Sequence, residues 1–143
     1  MEALPAVAAR VRRAVARLCL MQGWAPVHEV PLPNSRRADV LALAPDGRVL
    51  CIEVKSGTRD YLTDQKWPEY LDYADALYFA VDASFPRALL PDAAGWIMVH
   101  GLEAEIVRDA PVTPLAPARR RVLTVRLASL AATRLALLED PDA

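Results

Sequence analysis

Hydrophobic positions along the chain recur with two rhythms. Over residues 5–22, PAVAARVRRAVARLCLMQ, apolar side chains return at Val7, Val11, Ala14/Val15, Leu18 and Met21/Gln22. That spacing, with Pro5 at a first helical position and Gly23 just past the end, predicts an amphipathic helix. The rhythm then shortens to strands. Residues 25–32, bounded by prolines, and residues 37–44 and 48–55 read as three of them. Residues 58–73 read as helical, broken at Trp67-Pro68 because the residue before a proline avoids the α region. ALYFAVD (76–82), GWIMVHG (95–101) and EAEIVR (103–108) read as further strands, the last a short edge strand. A proline-rich stretch, 111–117, leads into a last helix from about 119 to 138, with Leu123, Leu127, Leu130 and Leu138 on one face. The order predicts one α/β domain over residues 1–143, a mixed central sheet flanked by helices.

One apolar stretch breaks its own pattern. RRADVLALAPDGRVLCIEVKSG (36–57) carries Asp39, Glu53 and Lys55 inside what reads as a buried hairpin, and an unpartnered buried charge costs several kcal/mol. APDGR fits a three-residue loop, a type I turn at Pro45-Asp46 followed by Gly47 in the left-handed region. That loop pairs Ala44 with Arg48 and, counting outward, sets Asp39 opposite Glu53 and Arg37 opposite Lys55, all on one face. Opposed Cβ atoms lie about 4.5–5.5 Å apart, so both carboxylates can reach one cation. A two-residue loop would put the acids on opposite faces. The other face, Ala38, Val40 and Ala42 against Val54, Ile52 and Leu50, is wholly apolar. Two carboxylates and an amine at the open end suit Mg²⁺ or Mn²⁺, with Lys55 serving water or phosphate. A surface ion pair of Lys55 with Asp39 or Glu53 is the alternative. The chain uses 15 Arg and 2 Lys, so a lysine at 55 hints at a need for a compact ammonium.

Charge refines this picture. The formal net charge of −1 argues against coating nucleic acid by bulk electrostatics. The distribution is uneven, with no Asp or Glu from 3 to 28 or from 110 to 138, where Arg10, Arg12, Arg13, Arg17, Arg119, Arg120, Arg121, Arg126 and Arg134 lie. Those basic ends either rim the pocket toward phosphates or are solvated helix faces. No apolar run approaches a membrane span and the N-terminus lacks the order of a secretory signal, so a cytoplasmic protein without a membrane partner is expected. Cys19 and Cys51 read as buried thiols, and His28 and His100 as structural.

Asp39 followed by Glu53-Val54-Lys55 at the end of the next strand, after one helix and before another, resembles the P-D-(D/E)-x-K nuclease superfamily, with a restriction-endonuclease-like core of αβββαβ order. More narrowly, RRADVLAL, IEVKSGTRDYLTDQKWPEYLDYADALYFAV and PDAAGWIM resemble the MmcB family of bacterial DNA-repair proteins, over about residues 28–108. The resemblance implies Asp39 and Glu53 as metal ligands, Val54 assisting through its carbonyl, and Lys55 as the lysine that serves the hydrolytic water. Glu29 is an additional acid with either a metal-side or a solvated role. Ala38 stands where the superfamily's often-missing proline would be. The first helix lacks the Glu that many members place there, which leaves a second metal open.

The helix after the hairpin adds Asp60 and Asp64, expected on one face, and Gln65 and Lys66, expected with Arg36 and Arg37 to contact DNA. Trp67, Tyr70 and Tyr73 read as core anchors. The resemblance implies a DNA-repair protein hydrolysing phosphodiester bonds in damaged or branched DNA, alongside other repair or translesion-synthesis proteins. Its rivals are a catalytically inactive DNA-binding or adaptor protein with the same fold, and a protein-contacting domain working through KWPEY.

Overall fold

Helix α1, Leu4–Met21, begins with Pro5 in its first turn and ends in a left-handed Gly23, φ +76°. There the Trp24 N–H reaches the Cys19 carbonyl and the Gly23 N–H that of Leu20, which satisfies the last carbonyls of the helix. Its apolar stripe is Val11, Ala14, Val15, Leu18 and Cys19, while Met21, expected on that stripe, is exposed. The computed structural model describes residues 2–143.

Six strands follow: β1 (Ala25–Pro31), β2 (Arg37–Leu43), β3 (Val49–Lys55), β4 (Ala76–Asp82), β5 (Gly95–His100) and β6 (Glu103–Arg108). They form one sheet in sequence order. The β3–β4 and β4–β5 pairs are parallel and the other three antiparallel. This is the α/β mixed sheet flanked by helices that the sequence predicts, consistent with a restriction-endonuclease-like fold. α1 covers one face, packing on Val40, Ala42, Leu50, Ile52, Tyr78 and Ile97. The other face lies beneath α2 (Thr58–Thr63), a 3₁₀ helix (Trp67–Tyr73) and α3 (Pro117–Glu139), through Tyr61, Tyr70, Leu123 and Leu127 on Leu41, Val49, Cys51, Leu77 and Phe79. Burial on both faces explains the unbroken apolar run of β4.

Two departures from expectation shape the site. The helix expected over 58–73 stops at Thr63, before the Trp67-Pro68 step, and Asp64 is extended, φ −120° and ψ 92°. Asp60 and Asp64 therefore do not share a helix face. Asp60 turns back to accept from the Ser56 N–H and hydroxyl. The second departure lies in β1 and β2, where pairs run from His28–Val40 to Val30–Ala38 and skip the level of Glu29 and Asp39. Glu29 is left-handed there, φ +48°. The alternation of faces shifts across this level. Ala38, expected on the α1 face with Val40, packs instead with Val30, Leu32 and Leu41 on the other.

β1 is an edge strand whose backbone is partly occupied by α3. Pro26 and Pro31 have no N–H, Arg126 donates to the Pro31 carbonyl, and Arg134 donates to those of His28 and Glu29.

Candidate functional site

The hairpin turn forms as the loop signature requires. Gly47 adopts φ +91° and the Ala44 N–H bonds the Arg48 carbonyl. The β2–β3 ladder then runs from Leu43–Val49 to Val40–Ile52 and stops. In this register Val54 would next exchange both backbone bonds with Ala38. Instead its N–H donates to Asp39 Oδ2 at 2.8 Å, and the Asp39 N–H donates to Glu53 Oε1 at 3.3 Å. Side-chain oxygens replace the ladder, and β2 and β3 separate. The Val54 carbonyl, on the same side of its strand as the N–H, faces this split. So Asp39, Glu53 and the Val54 carbonyl are brought together.

Glu53 is the anomaly. It is only 3% exposed, and its other neighbour is the Cys51 thiol, 3.7 Å from Oε1. Burial first, then the hydrogen bond to and charge of the Asp39 carboxyl, push the Glu53 carboxyl far above the ordinary range, with Lys55 opposing only weakly. Burial and the same acids raise the neighbouring Cys51 thiol and Tyr70 phenol. The Tyr70 hydroxyl donates to the Arg37 carbonyl, tying the 3₁₀ helix to the start of β2. A pair of facing carboxyl groups with too few donors is a site short of positive charge.

Lys55 is buried on β3, but its Nζ lies 3.2 Å from Asp64 Oδ2, not on Asp39 or Glu53. Burial alone would raise the Asp64 carboxyl, and the Lys55 ammonium, joined by the Lys66 N–H and Arg36, offsets that and holds it below its usual value. The surface pair considered from sequence is thus a pair with a residue of the loop after α2. Arg37 does not face Lys55, because the ladder has ended. It is exposed and pairs across to Pro31.

On the α1 side the split opens into a cleft of about 120 Å³ lined by Pro5, Ala8, Ala9, Arg12, Asp39 and Val54. Arg12 is held 3.5 Å from Glu29, which places Glu29 beside the cleft and on a guanidinium. Other expected DNA contacts are committed elsewhere: Arg36 to Glu69 at 2.8 Å, and the Gln65 amide to the Tyr61 carbonyl. Lys66 is exposed. Most of the basic termini likewise bind this chain. Arg10 contacts Asp82 and Glu2, Arg119 bonds the Asp72 carbonyl and lies over Tyr73, and Arg120 clasps Asp75. They form no continuous rim. Arg12, Asp64 and Tyr70 belong to the site without any local signal; only the acid-free composition of the first helix singles out Arg12, among several arginines.

Among the described residues no group of three or more His, Cys, Asp or Glu converges. The donors present, two carboxylates and a carbonyl, are all oxygen, and the starved Glu53 carboxyl fits a hard divalent cation that keeps several waters. Among the described residues no helix is long and apolar enough to cross a membrane.

Fold and site together define an α/β domain with an acid pair at a split in its central hairpin. The chain belongs to the family described as DNA repair protein MmcB-like, which it matches over residues 2–142. A solved structure, a protein of unknown function (SPO1766) from Silicibacter pomeroyi, is similar with 42% identity and a TM-score of 0.90, over 95% of this chain and 93% of that one. No curated protein matches.

Proposed function

We propose that this chain serves DNA repair as a metal-dependent phosphodiesterase, cutting damaged or branched DNA at the β2–β3 split. The observation that carries the reading is the Glu53–Asp39 carboxyl pair, buried and short of donors beside the Val54 carbonyl. Those three groups would hold Mg²⁺ or Mn²⁺, which when bound makes a water nucleophilic at neutral pH and offsets charge on the phosphate. Glu53 would give up its proton to solvent on loading, and the cation would offset the repulsion between the two carboxylates. Lys55, released from Asp64, donates to the water or to a phosphate oxygen. Arg12 meets the phosphate from the α1 wall, and the small side chains of Ala8 and Ala9 leave the backbone room to approach.

Nicking of plasmid and branched DNA with Mg²⁺, Mn²⁺ or chelator tests this. Wild type cuts only with metal, and Asp39→Ala, Glu53→Gln and Lys55→Ala each lose at least about 100-fold while still binding DNA. No cutting by wild type, or equal cutting by the variants, overturns the reading. A second reading, a repair adaptor that keeps the fold without hydrolysis, is favoured by the Lys55 amine resting on Asp64. DNA binding unaffected by the three substitutions, with no cleavage, selects it.

A further inference from the structure

We infer that two copies of this chain associate through α3, the two helices antiparallel. α3 is 23 residues long, about 34 Å at 1.5 Å per residue, yet only Leu123 and Leu127 are buried. Its apolar residues are not confined to the face on the sheet. Val122, Val125, Leu135, Leu137 and Leu138 are exposed, Val125 by 61% and Leu138 by 79%. Exposed apolar residues on a face away from the sheet give a second molecule something to cover. Two concavities adjoin α3. One, about 730 Å³, lies among Pro33, Leu71, Leu115 and Val122. The other, about 530 Å³, runs between Pro31 and the Val122–Thr133 stretch and is floored by Leu130.

Charge selects the occupant and its direction. No acid occurs from 110 to 138, Arg119 and Arg121 stand at the beginning of the helix, and Glu139, Asp140 and Asp142 follow its end. Arg121, Val125, Ala128, Ala132, Leu135 and Glu139 recur at helical spacing on one exposed face, and a second α3 running the opposite way sets its Glu139 beside Arg121 and its Leu135 beside Val125. The contact is then made twice, as a twofold interface requires. A parallel copy would set acids on acids and arginines on arginines. A nucleic acid would meet Val122 and Val125 in the middle and three carboxylates at one end. This surface is separate from the carboxylate cleft and does not depend on its chemistry.

Sedimentation equilibrium of the full chain, from micromolar to hundred-micromolar concentration, reads the association. Wild type is a dimer, and Val125→Glu or Leu135→Glu weakens it at least about 10-fold with an unchanged melting temperature. Arg121→Glu and Glu139→Arg each weaken it, and the two together restore it, which only the antiparallel pairing explains. A wild-type monomer at the highest concentration overturns the inference. So does a dimer indifferent to these substitutions, or an Arg121→Glu variant whose sole defect is weaker DNA binding.

Discussion

Two carboxylates are buried in this sheet, at opposite ends of β3, and they have opposite fates. Asp75, just before β4 and 1% exposed, accepts from the Val49 N–H at 2.7 Å and the Leu115 N–H at 2.8 Å, and from both arms of Arg120. Burial pushes its carboxyl up, but Arg120 and the two backbone donors outweigh that and hold it below its usual value. Glu53 has one N–H, one thiol and a second acid, and is pushed the other way. Burial is common to both, so burial does not mark a functional acid. The supply of donors separates them: Asp75 joins the start of β3, the segment before α3 and α3 itself, whereas Glu53 has no matching set and on the proposed reading would take a cation instead.

Breaking the satisfied end has the largest effect. Asp75→Ala leaves Arg120 and two backbone donors without their acceptor and destabilises the fold by about 3–5 kcal/mol, read by urea denaturation. Arg120→Lys keeps the charge but loses the two-armed grip, and costs about 1–2 kcal/mol in the same assay. The starved end should respond with the reverse sign. Without metal, Glu53→Gln raises stability at neutral pH by on the order of 1 kcal/mol, since the amide is neutral in both states whereas Glu53 must take up a proton on folding. An equally destabilising Glu53→Gln would make the two ends alike and remove the distinction.

The two acids also divide the pH axis. A raised Glu53 contributes stability that is complete below its unfolded value, near that of an ordinary carboxylic acid, and fades as pH rises toward the folded one. A lowered Asp75 contributes stability above its unfolded value that is lost as pH falls through the folded one. Thermal melts of the metal-free protein should therefore decline on both sides of mildly acidic pH. Glu53→Gln flattens the alkaline limb and Asp75→Asn the acid one. Mg²⁺ restores the alkaline limb in wild type but adds nothing in Glu53→Gln, by the mass-action stabilisation of any ligand of the folded state. The smallest effect falls between the ends. Asp64→Asn frees Lys55 from a half-exposed partner and costs up to about 1 kcal/mol, in the same melts.

Local rules made much of the fold legible. APDGR specifies its loop, Gly23 and Pro5 bracket α1, and the six apolar runs are the six strands. The hairpin register followed from that loop and led to Asp39 and Glu53. What escaped is what local rules do not carry. Nothing in PVHEVPL announces that Glu29 will turn left-handed, so the shift that moves Ala38 to the other face, and the early end of the β2–β3 ladder, are tertiary outcomes. The helix stop at Asp64 lacks glycine or proline, and Pro68 drew the boundary too late. The arginines of α3 spell a basic surface, yet four of them hold backbone carbonyls or Asp75.

The arginines on β1 bear on how the sheet can grow. With three of its carbonyls engaged and two of its residues prolines, that margin offers an incoming chain a poor template, so sheet-to-sheet polymerisation from this side is hindered by the same helix that braces the fold. Shortening α3 before Arg126 should therefore cost solubility as well as stability: the protein would trade a finished margin for an adhesive one.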